Sequence, residues 1–315
     1  MIRYLLTIPF ALLFGITFAQ QDPQLSQYMN NTLVYNPGYA GSKDAICASA
    51  LYRQQWVGLK GAPVTSGFTV NMPLNIFKIS SGLGLTIIDD KIGYEKNTGI
   101  NFVYAYRMDI KNGEGKLGIG LSGGFLNKSL DLGTDTWETP EGNDGTGDQA
   151  IPSKKESAIT YNLGLGVYYK TEKIYLGISS TNITQPSIKF SKGTPNLTRH
   201  YYITAGYDLA LPNPSLELIP SVLIGSDGRS SSIDINSLLL YNKRIWGGVT
   251  YRLNAAIVGM IGIELKNGIK IGYSYDFATT DITHYSSGSH ELIINYCFNV
   301  VKEKIRRKYK SVRFL

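Results

Sequence analysis

The chain has 315 residues, of which 17% are charged and 11% are aromatic, and its mean hydropathy is −0.08. The formal charge of +7 is concentrated in basic residues between Lys302 and Arg313, so it gives no indication of nucleic-acid binding. After the N-terminal region, no segment approaches 18 uninterrupted apolar residues. These values leave either a soluble periplasmic protein or a membrane β-barrel, whose alternating strands do not register in hydropathy averages.

Residues 1–19 are predicted to be a cleaved export signal. Arg3 precedes an apolar stretch over residues 4–18, and the small residues Thr17 and Ala19 occupy the −3 and −1 positions of a cleavage site. The stretch is shorter than the roughly 20 residues of a transmembrane helix. A mature chain would therefore begin near Gln20, and a short membrane anchor is the alternative.

Residues 20–43 precede the first alternating segment. Asn36-Pro37 and Gly41 indicate a fixed, extended turn that leads into it. We expect this segment to fold on the periplasmic side into the mouth of a barrel, as a plug or docking strap. A disordered periplasmic leader is the alternative.

From about residue 44 to residue 299, large apolar residues alternate with small or polar ones. In one segment Ile269, Ile271, Tyr273, Tyr275 and Phe277 alternate with Lys270, Gly272, Ser274 and Asp276. This pattern predicts strands with an apolar face towards lipid and a polar face towards a lumen. The predicted spans are 44–57, 63–72, 80–89, 98–109, 116–130, 157–170, 173–181, 199–210, 215–226, 231–241, 244–252, 255–264, 268–277 and 289–299.

About fourteen strands are thus predicted, and their connections alternate between short and long. If both termini are periplasmic, the long connections 131–156, 182–198 and 278–288 all fall on the opposite side. A soluble β-sandwich would not be expected to sort its loops in this way. We therefore predict an all-β protein: a transmembrane, antiparallel, up-and-down barrel over residues 44–299, in contact with outer-membrane lipid.

Cys47 and Cys297 lie near the start of the first predicted strand and near the end of the last. A closed barrel pairs these two strands, and both cysteines have the parity of lumen-facing residues. In an oxidising compartment they could form a disulfide across the closure seam. Two free thiols in unlike registers are the alternative.

Three features of the sequence resemble parts of known chemical sites. Gly118, Gly120 and Gly123 form G-x-G-x-x-G, but they lie inside a predicted strand and not before a helix, as a dinucleotide site requires. His284 and His290, beside Ser289, lack the G-x-S-x-G elbow of a hydrolase. The acidic loop from Asp131 to Asp148 lacks the spacing of an EF-hand. We therefore predict neither an enzyme nor a bound cofactor or metal.

Residues 300–315 are predicted to be a basic periplasmic tail, because an even strand count returns the chain to the side on which it entered. Its residues Lys304, Arg306, Arg307 and Lys308 are candidates for an electrostatic contact with a periplasmic partner. A merely solvated chain end is the alternative.

Several stretches together resemble the PorP/SprF family of type IX secretion membrane proteins of Bacteroidetes. They are Asp22-Pro23-Gln24-Leu25-Ser26-Gln27-Tyr28, Asn36-Pro37-Gly38-Tyr39-Ala40-Gly41, Arg53-Gln54-Gln55-Trp56-Val57-Gly58, Gly61-Ala62-Pro63-Val64-Thr65, Gly272-Tyr273-Ser274-Tyr275-Asp276 and Gly288-Ser289-His290-Glu291. The one departure is Gly38, where the family more often has alanine. The resemblance implies an outer-membrane barrel that assists export or surface attachment of adhesins with a C-terminal sorting domain. It also implies periplasmic secretion components as partners, including gliding-motility parts in some species.

The motif residues are expected to have structural roles. Arg53, which has lumen parity, and Trp56, near the outer rim, are expected to position the short loop that contains Gly61 and Pro63. Asp276 and Glu291 should face inward, and His290 and Glu291 are expected to brace the final hairpin against Arg53. The competing functions are a passive channel or hydrophobic-solute transporter and an outer-membrane hydrolase that uses Ser289 and His290.

Overall fold

The computed structural model describes residues 22–76, 79–110, 114–131, 155–191 and 193–298. The predicted export signal at 1–19, the basic tail at 300–315 and most of the acidic loop lie outside these residues. Within the described residues, none of the helices has the length and apolar character needed to cross a membrane.

One antiparallel sheet contains all the named strands of the described chain. The strands are β1 (Ile46–Gln54), β2 (Val64–Ile76), β3 (Ile79–Ile92), β4 (Glu95–Ile110), β5 (Gly115–Leu130), β6 (Glu156–Thr171), β7 (Ile174–Thr181), β8 (His200–Tyr207), β9 (Leu209–Ala210), β10 (Leu216–Ser226), β11 (Ser231–Tyr241), β12 (Ile245–Arg252), β13 (Ala256–Glu264), β14 (Ile269–Ala278) and β15 (Ser289–Phe298). β9 resumes β8 after Asp208 and pairs with the same neighbour, β10. The two therefore count as one strand of the wall, and the barrel has fourteen.

The sheet closes on itself between its first and last strands. β1 pairs with β15 from Ile46 opposite Phe298 to Gln54 opposite His290. Closure matters because hydrocarbon offers no hydrogen-bond partners, so every backbone group of the wall must pair with another strand. The predicted antiparallel, fourteen-stranded barrel is confirmed.

Side chains alternate across the wall as the sequence pattern predicts. Phe102, Ile159 and Ile261 are more than 60% exposed on the outside, whereas their neighbours Val103 and Thr160 are buried inside. An apolar exterior is stable in lipid, and the buried polar residues face the lumen.

The two ends of the barrel differ. The turns 172–173, 242–244 and 265–268 belong to one end, here called the short-turn rim. β5 ends and β6 begins at the other end, the long-loop rim, which also carries the connections 182–199 and 279–288 and shorter turns such as 227–230. Because the wall has an even number of strands, β1 begins and β15 ends at the short-turn rim.

Candidate functional site: the luminal segment

Residues 22–43, here called the luminal segment, run through the inside of the barrel. The segment contains two 3-10 turns, Tyr28–Asn30 and Pro37–Tyr39, with one helical turn, Thr32–Tyr35, between them. Asp22 accepts a hydrogen bond from Tyr202 at the long-loop rim (2.8 Å). At the other end, the Gly41 N–H donates to Asn71 (3.2 Å).

From the sequence, residues 20–43 are expected to fold into the barrel mouth as a plug or docking strap; in the structure, residues 22–43 extend through the lumen from one rim towards the other. The segment spans the lumen because its short turns place successive side chains against strands all around the wall. Leu25, Tyr28 and Tyr35 pack in one cluster whose wall members are Leu51, Tyr202, Leu223 and Ile293. Leu33, Tyr39 and Ala40 pack in a second cluster with Val103, Ala105 and Tyr168.

Aromatic pairs reinforce both clusters. The rings of Tyr35 and Tyr202 meet edge to face with centroids 5.0 Å apart, and those of Tyr39 and Tyr168 do so at 5.2 Å. Pairs of this geometry contribute about 0.5–1.5 kcal/mol each beyond the area that they bury. The lumen thus has an apolar core, and the segment supplies six of the thirteen buried side chains in these two clusters.

Four inward-facing glycines of the wall, Gly82, Gly118, Gly120 and Gly166, form what we call the glycine seat. A Cβ added at Gly120 would lie 2.3 Å from the Pro37 carbonyl carbon, and one at Gly118 would lie 2.2 Å from the Gly38 oxygen. A Cβ at Gly82 would lie 2.0 Å from the Ala40 oxygen. These are backbone atoms, so any side chain would push the segment off the wall.

The seat explains the G-x-G-x-x-G motif. Gly118 and Gly120 are glycines because the luminal segment lies directly on β5, whereas Gly123 has the outward parity of that strand. Asn36 fixes the approach: its Nδ2 donates to the Val167 oxygen (2.9 Å) and its Oδ1 accepts from the Gly38 N–H (2.8 Å). The motif therefore serves packing between two backbones.

Five buried ionisable side chains form a charge cluster on the opposite wall. Its members are Arg53 on β1, Asp234 on β11, Arg252 on β12, Asp276 on β14 and Glu291 on β15. Arg53 pairs with Asp276 (2.7 Å) and Glu291 (3.3 Å), and Arg252 pairs with Asp234 (3.0 Å) and Asp276 (3.3 Å). Buried charges need such pairing, because an unpaired charge in the interior is strongly unfavourable.

The charge cluster holds the luminal segment by its backbone. The two oxygens of Glu291 accept the N–H groups of Ser26 (2.7 Å) and Gln27 (2.8 Å). The Ser26 hydroxyl donates to Asp276 (2.7 Å) and accepts from Arg53 (2.7 Å). Hydrogen bonds to charged groups are stronger than those between neutral groups, so this contact fixes the register of the segment in the lumen.

Other motif residues lie above the charge cluster at the long-loop rim. Trp56 has a left-handed backbone (φ 46°), and its N–H donates to the Ser289 hydroxyl (3.1 Å). Within the same loop, Gly61 accepts a backbone bond from Gly93 and Pro63 accepts one from Gln55. Across the seam, the Gly288 oxygen accepts from the Val57 N–H (2.8 Å). These residues hold the 55–63 loop against the last hairpin.

His290 does not brace the hairpin against Arg53, which corrects that part of the prediction. It follows Ser289 on β15 and so faces outward, where its Nδ1 lies 2.6 Å from the Tyr273 hydroxyl. Ser289 and His290 are therefore on opposite faces of the strand and do not form a Ser–His pair. Among the described residues, no group of three or more His, Cys, Asp or Glu side chains is arranged to hold a metal ion.

Cys47 and Cys297 face each other across the closure seam. They are directly paired in the register of β1 and β15, and their Sγ atoms lie at bonding distance (2.06 Å). Cys47 on the first strand and Cys297 on the last both face the lumen, as the sequence pattern predicts. The disulfide would make the seam covalent near the short-turn rim.

Sequence reasoning did not identify Ser26, Gln27, Asp234 or Arg252 as part of the site. For the last two a signal was present, because both are charged residues with inward parity on neighbouring strands. Two opposite charges at matching heights in a lumen predict an ion pair. Ser26 and Gln27 belong to one of the family stretches, but their contact with Glu291 is made by backbone N–H groups, which no residue type marks in a sequence.

A family model described as type IX secretion system membrane protein PorP/SprF matches residues 17–296. The chain belongs to the PorP/SprF family. The match includes the luminal segment, the glycine seat, the charge cluster and nearly all of β15, so the resemblance inferred from the sequence motifs is confirmed. This PorP/SprF protein is accordingly an outer-membrane β-barrel of type IX secretion.

No curated protein sequence matches the chain. Among solved structures, the PorP/SprF barrel is similar to the Acinetobacter baumannii outer membrane protein Omp33, with 8% identity, 81% of this chain and 97% of that chain covered, and a TM-score of 0.44. It is also similar to the monoaromatic hydrocarbon channel CymD (12%, 85% and 93% covered, TM-score 0.48). The Ralstonia pickettii toluene transporter TbuX matches at 9% identity, with 85% and 93% covered and a TM-score of 0.47. At these identities the similarity concerns the fold alone.

Proposed function

We propose that this PorP/SprF barrel acts as a closed outer-membrane anchor for type IX secretion. In this role it assists the export or surface anchoring of adhesin-type cargo with a C-terminal sorting domain. It also docks periplasmic components of the secretion apparatus. The protein thus supplies a membrane-fixed surface rather than a pore or a catalyst.

The observation that carries the proposal is the occupied lumen. Side chains of residues 22–43 pack in two apolar clusters with the wall, and their backbone is bound by Glu291. A passive channel or hydrophobic-solute transporter, the alternative function, needs a continuous path through the barrel. The luminal segment lies across that path, which favours an anchor over a channel.

The test combines secretion with conductance. Deletion of the gene is expected to leave adhesins with a C-terminal sorting domain inside the cell or unattached, and the full-length chain should restore them to the surface. Purified protein in a planar bilayer should show no steady, large conductance. A steady conductance together with normal secretion after deletion would instead support the channel.

The tail can be tested separately as the contact for the periplasmic apparatus. We would replace four tail residues, Lys304, Arg306, Arg307 and Lys308, by glutamine. This variant should co-purify fewer secretion components from native membranes, and its difference from the parent should be larger at low salt, because ions screen charge attraction. The matched control replaces four lysines in or near the connections at the long-loop rim, Lys60, Lys91, Lys96 and Lys189. Equal recovery of partners with both variants would remove the tail from the docking surface.

A further inference from the structure

We infer that the luminal segment is threaded with its N-terminal end outward, so that Asp22 to Gln24 belong to the extracellular surface of the protein. The sequence alone predicts a plug or docking strap at the periplasmic mouth of the barrel and does not fix the direction in which the segment runs. This inference concerns the path of the chain and does not rest on the proposed secretion function.

The contacts of Asp22 place it at the long-loop rim. Its carboxylate accepts from Tyr202 (2.8 Å) and Thr181 (3.3 Å) and lies 3.4 Å from His200 Nδ1. Thr181 ends β7 and His200 begins β8, and the two pair with each other directly below the 182–199 loop. The start of the segment is therefore level with the longest described loop.

Successive residues then descend towards the other rim. Ser26 bonds to Asp276, two residues before the end of β14, and Tyr28 bonds to Ser221 in the middle of β10 (2.8 Å). Farther along, Gly41 lies against Met72 and Pro73, near the β2–β3 turn. Asp44 finally pairs with Lys116 (2.5 Å) and Arg107 (2.9 Å) beside the β4–β5 turn.

The direction of this descent assigns sides. Outer-membrane barrels carry long loops outside the cell and short turns in the periplasm. The chain enters β1 and leaves β15 at the short-turn rim, as an even number of strands requires. Residues 22–43 thus add a further crossing of the membrane inside the wall, and Asp22 and Ile46 lie on opposite sides of it.

The threading has a consequence for partners. Asp22 and Gln24 line a cavity at the long-loop rim together with Tyr202, Asp227 and Ser230. A molecule that reaches this cavity comes from outside the cell. Periplasmic components can contact the segment only at its other end, around Lys43 and Asp44.

Cysteine accessibility tests the inference in the full-length protein. We would introduce Gln24→Cys, with Arg229→Cys in the 227–230 turn as the long-loop control and Lys243→Cys in the 242–244 turn as the short-turn control. A membrane-impermeant maleimide should label Gln24→Cys and Arg229→Cys on intact cells. Lys243→Cys should react only after the outer membrane is permeabilised, and the unsubstituted chain gives the background from Cys47 and Cys297.

A second probe avoids dependence on one half-buried position. An epitope inserted directly before Asp22 should be bound by antibody on intact cells to the same extent as after permeabilisation. Detection of either probe only after permeabilisation would overturn the inference. So would the failure of both probes on intact cells while Arg229→Cys is labelled.

Discussion

Glu291 holds the luminal segment through two main-chain N–H groups, and this makes it the residue whose change should be most costly. Glu291→Gln removes one charge from the cluster. It also replaces one carboxylate oxygen by an NH2 group, which cannot accept the hydrogen bond from the Ser26 or Gln27 N–H that it faces. Breaking a buried ion pair by removing one partner costs about 3–5 kcal/mol. We therefore expect the free energy of unfolding in detergent to fall by about that amount.

Glu264→Gln is the matched control for this substitution. Glu264 pairs with Lys270 (2.8 Å) at the short-turn rim, where both side chains are partly exposed. Exposed pairs contribute about 0–1 kcal/mol, so this variant should unfold almost as the parent does. Equal losses in the two variants would show that Glu291 does not hold the segment in place.

Asp44 provides a pH-dependent contact at the short-turn rim. Partial burial raises the pKa of Asp44, but the hydrogen bond from Lys116 and the charge of Arg107 outweigh it, so the pKa lies below its ordinary value of 3.8. A carboxyl with a lowered pKa in the folded state stabilises the protein above its unfolded pKa and loses this effect as the pH falls through the folded value. The contribution is therefore complete at neutral pH.

Accordingly, Asp44→Asn should be less stable than the parent at pH 7, by at most about 1 kcal/mol because the side chain is half exposed. Urea unfolding at decreasing pH should show the two proteins converging below pH 3.8. A difference that persists in strong acid would indicate that the carboxylate charge is not the cause.

At the level of elements, the glycine seat predicts a specific effect of adding a side chain to β5. Gly120→Val would place atoms within 2.3–2.4 Å of the backbone of Pro37 and Gly38, which cannot move without leaving the wall. We expect a loss of about 1–3 kcal/mol, together with faster proteolysis of the luminal segment and a measurable conductance in planar bilayers. Gly259→Val is the control, because a Cβ at Gly259 meets nothing within 4 Å. If the conductance of Gly120→Val remains as low as that of this control, the glycine seat is not needed to hold the luminal segment against the wall.

The strands show how well the local sequence pattern predicts where each strand begins and ends. The predicted spans 116–130 and 231–241 agree with β5 and β11 to within one residue. β1 is shorter than the predicted 44–57, because Asp44 and Trp56 adopt left-handed backbone conformations that end the strand on both sides. β4 begins at Glu95, before the predicted start at residue 98. Charged residues there suggest a loop, but Glu95 forms an ion pair with Lys128 inside the barrel (2.7 Å), so the strand includes them.

The luminal segment shows where local pattern fails. Alternation reports which face of a strand meets lipid, and the segment has no strand and no contact with lipid. Its decisive bonds join residues that are far apart in the chain, as Ser26 and Glu291 are, which lie 265 positions apart. The inward parity of Arg53, Asp276 and Glu291 and the contact between Glu291 and Arg53 could be predicted, but the binding of the luminal segment by these residues could not.

For the molecule as a whole, stability depends on the seam between β1 and β15. A disulfide there closes a loop of 250 residues, and loss of a native disulfide costs about 2–5 kcal/mol. Cys47→Ala/Cys297→Ala should therefore lower the midpoint of thermal unfolding. Reductant should lower the midpoint of the parent but leave that of the double variant unchanged. Mass analysis after alkylation without reductant should find no modified cysteine in the parent, and two alkylated thiols would show that the bond does not form.

The course of residues 22–43 also constrains how the protein is assembled. Once the cylinder is complete, the segment could reach its place only by being pulled past Tyr168, Tyr202 and the buried arginines, through an interior that its own side chains are needed to fill. It is more readily laid against the open sheet, with β15 brought to β1 afterwards. The machinery that inserts this protein must then close the sheet around residues 22–43. It can release the finished barrel only after β15 has paired with β1.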